Sequence, residues 1–218
     1  MRRYLPFIIV GFVAVVTVAS ATILYRAKKP VAIVLPKNGE ESADAPHALG
    51  PENAAVTLEE YGDFECPPCG TLAGPLNEME RDFRPNVRLI FRQFPLPMHA
   101  HSMYAALASE AAGLQGKFWE MHDLLYREQI VWSKSEDPLS VIRSYAGMLG
   151  LDVERFSRDV NDQKLLAKVR AEQEKGAKLG VKNTPTVFLN GKEIPPAELA
   201  PAILRKTVEE AAKAKPQS

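Results

Sequence analysis

Cysteine is scarce in this chain, which has only 2 cysteines and 4 histidines among its 218 residues. A structural zinc site usually takes four cysteine or histidine ligands at regular spacing, and no histidine is spaced near the cysteines. The 27 basic residues equal the 27 acidic ones, so the net charge is +0. A nucleic-acid-binding protein would instead show a basic stripe. We therefore expect no metal, no other cofactor and no nucleic-acid partner.

The two cysteines, Cys66 and Cys69, are three residues apart and are the main functional signal in the sequence. Residues 56–61 before them are strand-like, and residues 72–83 after them have a helical pattern. A C-x-x-C pair at a strand-to-helix junction is typical of a thioredoxin-type redox site. A structural disulfide is the competing interpretation, but such a short ring would restrict the unfolded chain little. The pattern thus favours redox chemistry.

The order of the two thiols follows from their places on the predicted helix. Cys66 falls at the N-cap, because a residue before proline avoids the α conformation and Pro67 suits the first helical position. The backbone N–H groups and the dipole at a helix N-terminus favour an anion there. Cys69 lies one turn into the helix, where we expect burial. We therefore predict that Cys66 is the nucleophile and Cys69 the resolving thiol.

The N-terminal part of the chain does not fit a globular fold. Residues 5–24 form an uncharged apolar run, flanked by basic residues on both sides, and such a run can cross a bilayer as a helix. We predict that residues 1–29 are a membrane anchor or, alternatively, a secretory signal cleaved after Ala21. Residues 30–46 are predicted to be a flexible linker with a reach of roughly 20 Å.

The location of the protein is inferred from the redox site. A disulfide couple is more useful in an oxidising compartment, so we place residues 47–218 on the periplasmic, extracytoplasmic side of the cell inner membrane. In the alternative, cleavage after Ala21 would release them into the periplasm. We expect a monomer.

The remaining pattern is that of an α/β protein. A strand at residues 56–61, a helix and a strand at residues 87–94 form a βαβ unit with a parallel strand pair. Residues of about 100–180 are predicted to be a helical insertion, with Trp119 and Trp132 as packing residues. Asn190-Gly191 predicts a two-residue hairpin turn. The Pro195-Pro196 pair is expected to open a final helix with Leu199, Ile203 and Val208 on its apolar face.

Three motifs in this order resemble the DsbA family of thiol-disulfide oxidoreductases. They are EYGDFECPPC at residues 60–69, GKFWEMH at 116–122 and GVKNTPTV at 180–187. The likeness covers residues of about 47–212. It implies a thioredoxin fold with an inserted α-helical subdomain and the activity of a protein disulfide oxidoreductase. It also implies cysteine-containing substrate proteins and a membrane or extracytoplasmic redox partner.

The resemblance assigns roles to three further residues. Thr184 and Pro185 match a loop in which a cis-proline faces the cysteines, and a cis bond there leaves the Thr184 backbone free to pair with an extended substrate segment. Glu60 matches a buried acid beneath the active site, which is able to shuttle the proton of Cys69. An alternating apolar pattern in residues 56–61 also favours burial of Glu60.

A second function class comes from His99 and His101, which lie in a Met-His-Ala-His-Ser-Met segment at residues 98–103. Soft methionine, cysteine and histidine ligands suit copper. The alternative function is thus an extracytoplasmic copper-binding thiol protein, a Cu(I) chaperone that uses the cysteine pair with His99 and His101. The competing interpretation of the segment is a loop and a helix start.

The direction of electron flow depends on how stable the Cys66 thiolate is. The Pro67-Pro68 pair offers no N–H donor and no cation, while Asp63, Glu65 and Glu60 bring negative charge close to the thiols. We therefore predict a pKa of Cys66 below its free value of about 8.5, but not at the acid extreme of such sites. The corresponding redox potential is expected to be intermediate.

Overall fold

The computed structural model describes residues 47–214. The predicted anchor or signal at residues 1–29 and the linker at residues 30–46 lie outside the described residues. The strands are β1 (His47–Leu49), β2 (Val56–Gly62), β3 (Val87–Gln93), β4 (Thr186–Leu189) and β5 (Lys192–Glu193). The helices are α1 (Pro67–Asp82), α2 (Ser102–Gly113), α3 (Phe118–Arg127), α4 (Gln129–Ser133), α5 (Pro138–Met148), α6 (Val153–Asp159), α7 (Gln163–Lys178) and α8 (Pro201–Ala214).

The strands form one mixed sheet in the order β1-β3-β2-β4-β5. Strands β2 and β3 pair in parallel, with Val56 opposite Val87, while β1, β4 and β5 join antiparallel to their neighbours. The predicted βαβ unit is therefore confirmed. The hairpin between β4 and β5 is also confirmed, and Asn190 and Gly191 adopt φ values of 50° and 80°, as a tight hairpin turn requires.

Two apolar layers cover the sheet, which explains why β2 is buried on both faces. One layer packs residues of β2 and β3 against α1 and α8, with Leu76 and Leu204 fully buried. The other joins the start of α1 to helices α2 to α7, which follow β3 in the chain, and Trp132 is buried within it. Both cysteines belong to this second layer. The active-site helix is thus held between the sheet and the helical region.

The C-terminal helix differs from the sequence prediction. Residues Pro196–Glu198 form a short 3-10 turn, and α8 begins only at Pro201. Its buried face is made by Leu204 and Val208, whereas Ile203 is 47% exposed. The prediction that Ile203 lies on the apolar face was wrong, because the later helix start places positions 204 and 208, one turn apart, toward the sheet.

Two short elements have no counterpart in the sequence prediction. Strand β1 has three residues and forms an edge of the sheet, and α4 has five residues. Neither is long enough to show a periodic pattern. Within residues 47–214, no helix combines the length and the apolar character needed to span a bilayer.

Candidate active site

Cys66 is the N-cap of α1, with extended backbone angles of φ −79° and ψ 117°, and Pro67 follows at the first helical position. The predicted start of the helix is therefore confirmed. Cys69 lies in the first turn and has no exposed surface, whereas Cys66 retains 5% of its own. Both thiols are free. Cys66 is less open than a surface nucleophile, but it is the thiol of the pair that solvent reaches.

The loop before β4 closes over Cys66. The Thr184–Pro185 peptide bond is cis, as the resemblance implies, and the Cys66 thiol donates a hydrogen bond to the Thr184 carbonyl over 3.2 Å. These residues are 118 positions apart in the chain. The antiparallel pairing of β2 with β4 brings the loop to the end of the strand that leads into the cysteines.

The pKa values of the two thiols are shifted in opposite directions. The pKa of Cys66 is lowered from 9.0 to about 6, chiefly because the Cys69 thiol donates a hydrogen bond to it, with further help from the Cys69 backbone N–H. Burial and the negative charge of Asp63 oppose this shift. Burial strongly raises the pKa of Cys69, and the hydrogen bond to Cys66 adds to the effect. The predicted direction for Cys66 is thus confirmed.

Glu60 lies beneath the cysteines and is 1% exposed, so its predicted burial is confirmed. Burial, followed by the charge of Cys66, raises its pKa from 4.5 to about 8. Within the described part of the chain, its Oε1 atom has no hydrogen-bond partner. A carboxyl group with this pKa gains and loses a proton close to neutral pH, which is the range a proton carrier needs.

Two residues of the helical region reach the site, and the sequence analysis gave neither a role. Gln129 of α4 donates hydrogen bonds to the carbonyls of Phe64 (2.8 Å) and Cys66 (2.9 Å). Tyr126 of α3 has a buried hydroxyl group, and its pKa is raised well above 10 by burial and then by the charges of Cys69 and Glu60. Because both residues lie about 60 positions from the cysteines, no local pattern reveals them.

Asp63 organises the loops around Cys66. Its Oδ1 atom accepts a hydrogen bond from the backbone N–H of Glu65 (2.7 Å), and its Oδ2 atom accepts one from that of Leu96 (2.7 Å). The Nδ1 atom of His99 lies 2.7 Å from the same Oδ2 atom. The sequence analysis treated Asp63 as a source of charge only, and its three contacts appear only in the folded chain.

The two histidines of the copper alternative have different surroundings. His99 contacts Asp63 through its ring, whereas His101 is tied to the active-site loop by its backbone, whose N–H donates to Glu65 Oε2 (2.7 Å). In the region from residue 47 to residue 214, no group of three or more histidine, cysteine, aspartate or glutamate side chains is arranged to hold a metal ion.

The fold, together with two cysteines of different pKa at a helix N-terminus, defines a protein of the thioredoxin class. A family model described as "Thioredoxin" matches residues 42–210. The chain belongs to the thioredoxin family.

Solved structures share the fold. A thioredoxin-like oxidoreductase from Silicibacter pomeroyi is 28% identical with a TM-score of 0.64, over 78% of this chain and 94% of that one. BdbD from Bacillus subtilis is 23% identical with a TM-score of 0.66, over 81% and 97% of the two chains. The thiol-disulfide exchange protein alpha-DsbA2 from Wolbachia pipientis is 22% identical with a TM-score of 0.65, over 76% and 86%. The predicted resemblance to DsbA-type proteins is confirmed.

Curated relatives are much longer than this chain. The Na(+)/H(+) antiporter NhaA 1 of Salinispora arenicola is 43% identical over 151 residues, which are 68% of this chain and 22% of that protein. The Na(+)/H(+) antiporter NhaA of Herminiimonas arsenicoxydans is 34% identical over 168 residues, 72% of this chain and 26% of the relative. The chain spans about a quarter of the length of these relatives, so antiporter activity is not carried over to it.

Proposed function

We propose that the protein is a thiol-disulfide oxidoreductase that acts on cysteine pairs of secreted or membrane proteins through Cys66-Pro67-Pro68-Cys69. The observation that carries the proposal is the difference between the two thiols. Cys66 is the N-cap of α1 and its pKa is lowered to about 6, whereas the neighbouring Cys69 is fully buried. A thiolate is the species that attacks a disulfide. At neutral pH, Cys66 is therefore mostly in its reactive form.

In the reducing direction, the Cys66 thiolate attacks one sulfur of a substrate disulfide. A bond forms between Cys66 and that sulfur, the substrate S–S bond breaks, and the second substrate sulfur leaves as a thiolate. Cys69 then attacks Cys66, which forms the Cys66–Cys69 disulfide and releases the first substrate sulfur. Two electrons pass to the substrate, and the reverse sequence oxidises a substrate dithiol. A membrane or extracytoplasmic redox partner would return the pair to its starting state.

Glu60 supplies the proton transfer that Cys69 needs. Cys69 is held as a thiol by burial and must lose its proton before it attacks Cys66. A base inside the protein is required, since Cys69 has no exposed surface. The burial of Glu60 and its pKa of about 8 support this assignment, because the carboxylate then takes up a proton near neutral pH and the acid returns it.

Thr184 and Pro185 are proposed to hold the substrate as an added strand next to Cys66. The position of the Thr184 carbonyl, 3.2 Å from the Cys66 sulfur, supports this role, because an extended peptide that presents its cysteine to Cys66 would offer its backbone N–H to that carbonyl. A peptide disulfide N-methylated at the residue next to its cysteine should react more slowly. The same peptide methylated four residues away is the control, and equal rates would contradict the assignment.

The central experiment compares exchange by the wild type with that of two variants. We expect reduction of insulin disulfides by the wild type, no turnover by Cys66→Ser, and a trapped mixed disulfide with Cys69→Ser, because the resolving thiol is then missing. Cu(I) titration of the wild type tests the alternative function. Absence of exchange, together with tight copper binding that needs His99 or His101, would overturn the proposal.

The redox potential tests the argument about thiolate stability. The charge of Asp63 opposes ionisation of Cys66, so we expect a potential more reducing than the value of about −120 mV that strong oxidants of this type reach. Equilibration with glutathione buffers measures it. A value as high as about −120 mV would contradict the argument.

The N-terminal segment is proposed to anchor the domain at the outer face of the inner membrane through residues 1–29. The uncharged run at residues 5–24 and the redox chemistry support this location. We expect the full chain to stay with membranes during alkaline carbonate extraction and a chain starting at residue 30 to be released. A mature protein whose mass shows cleavage after Ala21 would favour the secreted alternative.

A further inference from the structure

The reactive thiol is next to a buried carboxylate that has one ion-pair partner among the residues the structure describes. Asp63 is three residues before Cys66, and its side chain has no exposed surface. His99 contacts it over 2.7 Å and is 22% exposed. The same Asp63 oxygen also accepts the backbone N–H of Leu96. The imidazole is thus held in place from one side and remains open to solvent on the other.

We propose that Asp63 and His99 form a charge pair that sets the reactivity of Cys66, in which a protonated His99 offsets the negative charge of Asp63. When His99 carries a proton, its charge cancels that of Asp63 and the Cys66 thiolate is favoured. When His99 is neutral, the Asp63 charge is uncompensated and repels the thiolate. The proposal rests on the proposed function only in taking Cys66 as the reactive thiol.

A cation 2.7 Å from the buried Asp63 carboxylate reduces the negative potential that the carboxylate exerts on Cys66. Asp63 acts on the reactive thiol, because its negative charge is among the causes that raise the pKa of Cys66.

Other ionisable groups surround the pair, and the experiment must separate their effects. They are Glu65 in the active-site loop, Glu60 on β2, Cys66 and Cys69 at the start of α1, Tyr126 on α3 and His101 in the loop of His99. Apart from His99 and His101, each of these groups is neutral or negative. His101 is the natural control, because it lies in the same loop but forms no ion pair among residues 47–214.

The test measures alkylation of reduced Cys66 in the full chain from pH 4 to pH 9, with mass spectrometry to identify the modified cysteine. In His99→Asn, the amide still donates a hydrogen bond to Asp63 but carries no charge. We expect its alkylation rate at pH 5 to fall by about threefold or more, which corresponds to half a pH unit in the Cys66 profile. His101→Asn should follow the wild-type profile. Identical profiles for both variants and the wild type would overturn the proposal.

A second comparison tests the Asp63 half of the pair. Asp63→Asn should move the profile in the opposite direction and raise the alkylation rate at pH 5, because a negative charge is removed. A rate at pH 5 that falls or equals that of the wild type would contradict the proposal. If Asp63→Asn does not fold, the comparison of the two histidine variants decides alone.

The readout is independent of the proposed enzyme activity. If the wild type catalyses no exchange while His99→Asn still shifts the Cys66 profile, the proposed function fails and the charge pair stands. If exchange is normal and the profile does not shift, the charge pair fails and the proposed function stands.

Discussion

At the scale of single residues, the site separates groups that are chemically alike. Cys66 and Cys69 share one helical turn, yet the pKa of one falls to about 6 and that of the other rises strongly. The difference arises because the buried thiol keeps its proton and donates it in a hydrogen bond that stabilises the other thiolate. Glu60 and Glu59 are adjacent on β2, but among residues 47–214 only Glu59 has cationic partners, Arg92 at 2.7 Å and Lys175 at 3.5 Å. Function at this site therefore depends on burial and partners rather than on residue type.

The buried acid gives the first prediction. The pKa of Glu60 is raised from 4.5 to about 8 by burial and by Cys66. A group whose pKa is higher in the folded protein contributes stability below its unfolded pKa, and this is lost as the pH rises toward the folded value. Glutamine stays neutral and avoids the cost of a buried carboxylate. At pH 8, with both cysteines reduced, we therefore expect the free energy of unfolding of Glu60→Gln to exceed that of the wild type by on the order of 2 to 4 kcal/mol.

The gap between this variant and the wild type should narrow as the pH falls from 8 toward 4.5. Urea unfolding at pH 5 and pH 8 measures it. Glu59→Gln is the matched control, and its difference from the wild type should stay constant over the same range. A Glu60→Gln gap that is equal at both pH values would show that the acid is not buried in the state described here.

At the scale of secondary-structure elements, a five-residue helix fixes the start of the active-site helix. Gln129 of α4 donates to the carbonyls of Phe64 and Cys66, both in the turn that precedes α1. Gly70 lies against the same side chain, since a Cβ atom there would come 3.1 Å from Gln129 Oε1. The helical region therefore contributes directly to the geometry of Cys66 as well as covering the sheet.

We predict that Gln129→Ala lowers the free energy of unfolding by about 1 to 3 kcal/mol, because two buried carbonyls lose their donor. Gln115→Ala is the control, since Gln115 also bonds to a backbone carbonyl, that of Asp152, but at an exposed position. Urea unfolding compares the two variants. An equal loss of unfolding free energy in both variants would show that the hydrogen bonds at the active-site turn stabilise the protein no more than an exposed hydrogen bond does.

At the scale of the whole molecule, a buried polar cluster joins the sheet to the helical region. Glu110 of α2 accepts from Lys168 of α7 (2.8 Å), from His47 of β1 (2.9 Å) and from Gln93 of β3 (2.9 Å). Burial opposes ionisation of Glu110, but the charges and hydrogen bonds of His47 and Lys168 outweigh it and lower its pKa to about 2. One carboxylate thus connects four elements that are distant in the sequence.

Glu110→Gln should lower the free energy of unfolding at pH 7 by about 3 kcal/mol, because Lys168 is left as a buried charge without its partner. A group with a lowered pKa in the folded state contributes stability above its unfolded pKa of about 4.5, and this is lost as the pH falls toward 2. The gap between Glu110→Gln and the wild type should therefore shrink in acid.

The control for this variant is Glu120→Gln, which breaks a pair with Lys117 in which both side chains are 39% exposed. Exposed pairs contribute little, so its loss should stay below about 1 kcal/mol. Urea unfolding at pH 7 and pH 4 provides both comparisons. A loss in Glu110→Gln no larger than in the control would contradict the importance of the buried cluster.

The sequence by itself determined the features whose physical causes are local. The C-x-x-C spacing with Pro67 set the helix start, alternating residues set the parallel strands, and Asn190-Gly191 set the hairpin, since each depends on neighbouring backbone groups. The prediction that Ile203 lies on the buried face of the last helix was wrong, because the residue at which α8 begins depends on how the helix packs on the sheet.

Only the tertiary structure decided which distant groups surround Cys66. The Thr184 carbonyl and Gln129 contact Cys66, and His99 contacts the neighbouring Asp63. They come from three separate loops or helices and reach these positions only after the sheet and the helical region have formed. The acidity of a thiol depends on charges and donors within a few ångströms, and these are set by the fold. The chain thus encodes the reactive pair locally, while its reactivity is set by long-range contacts.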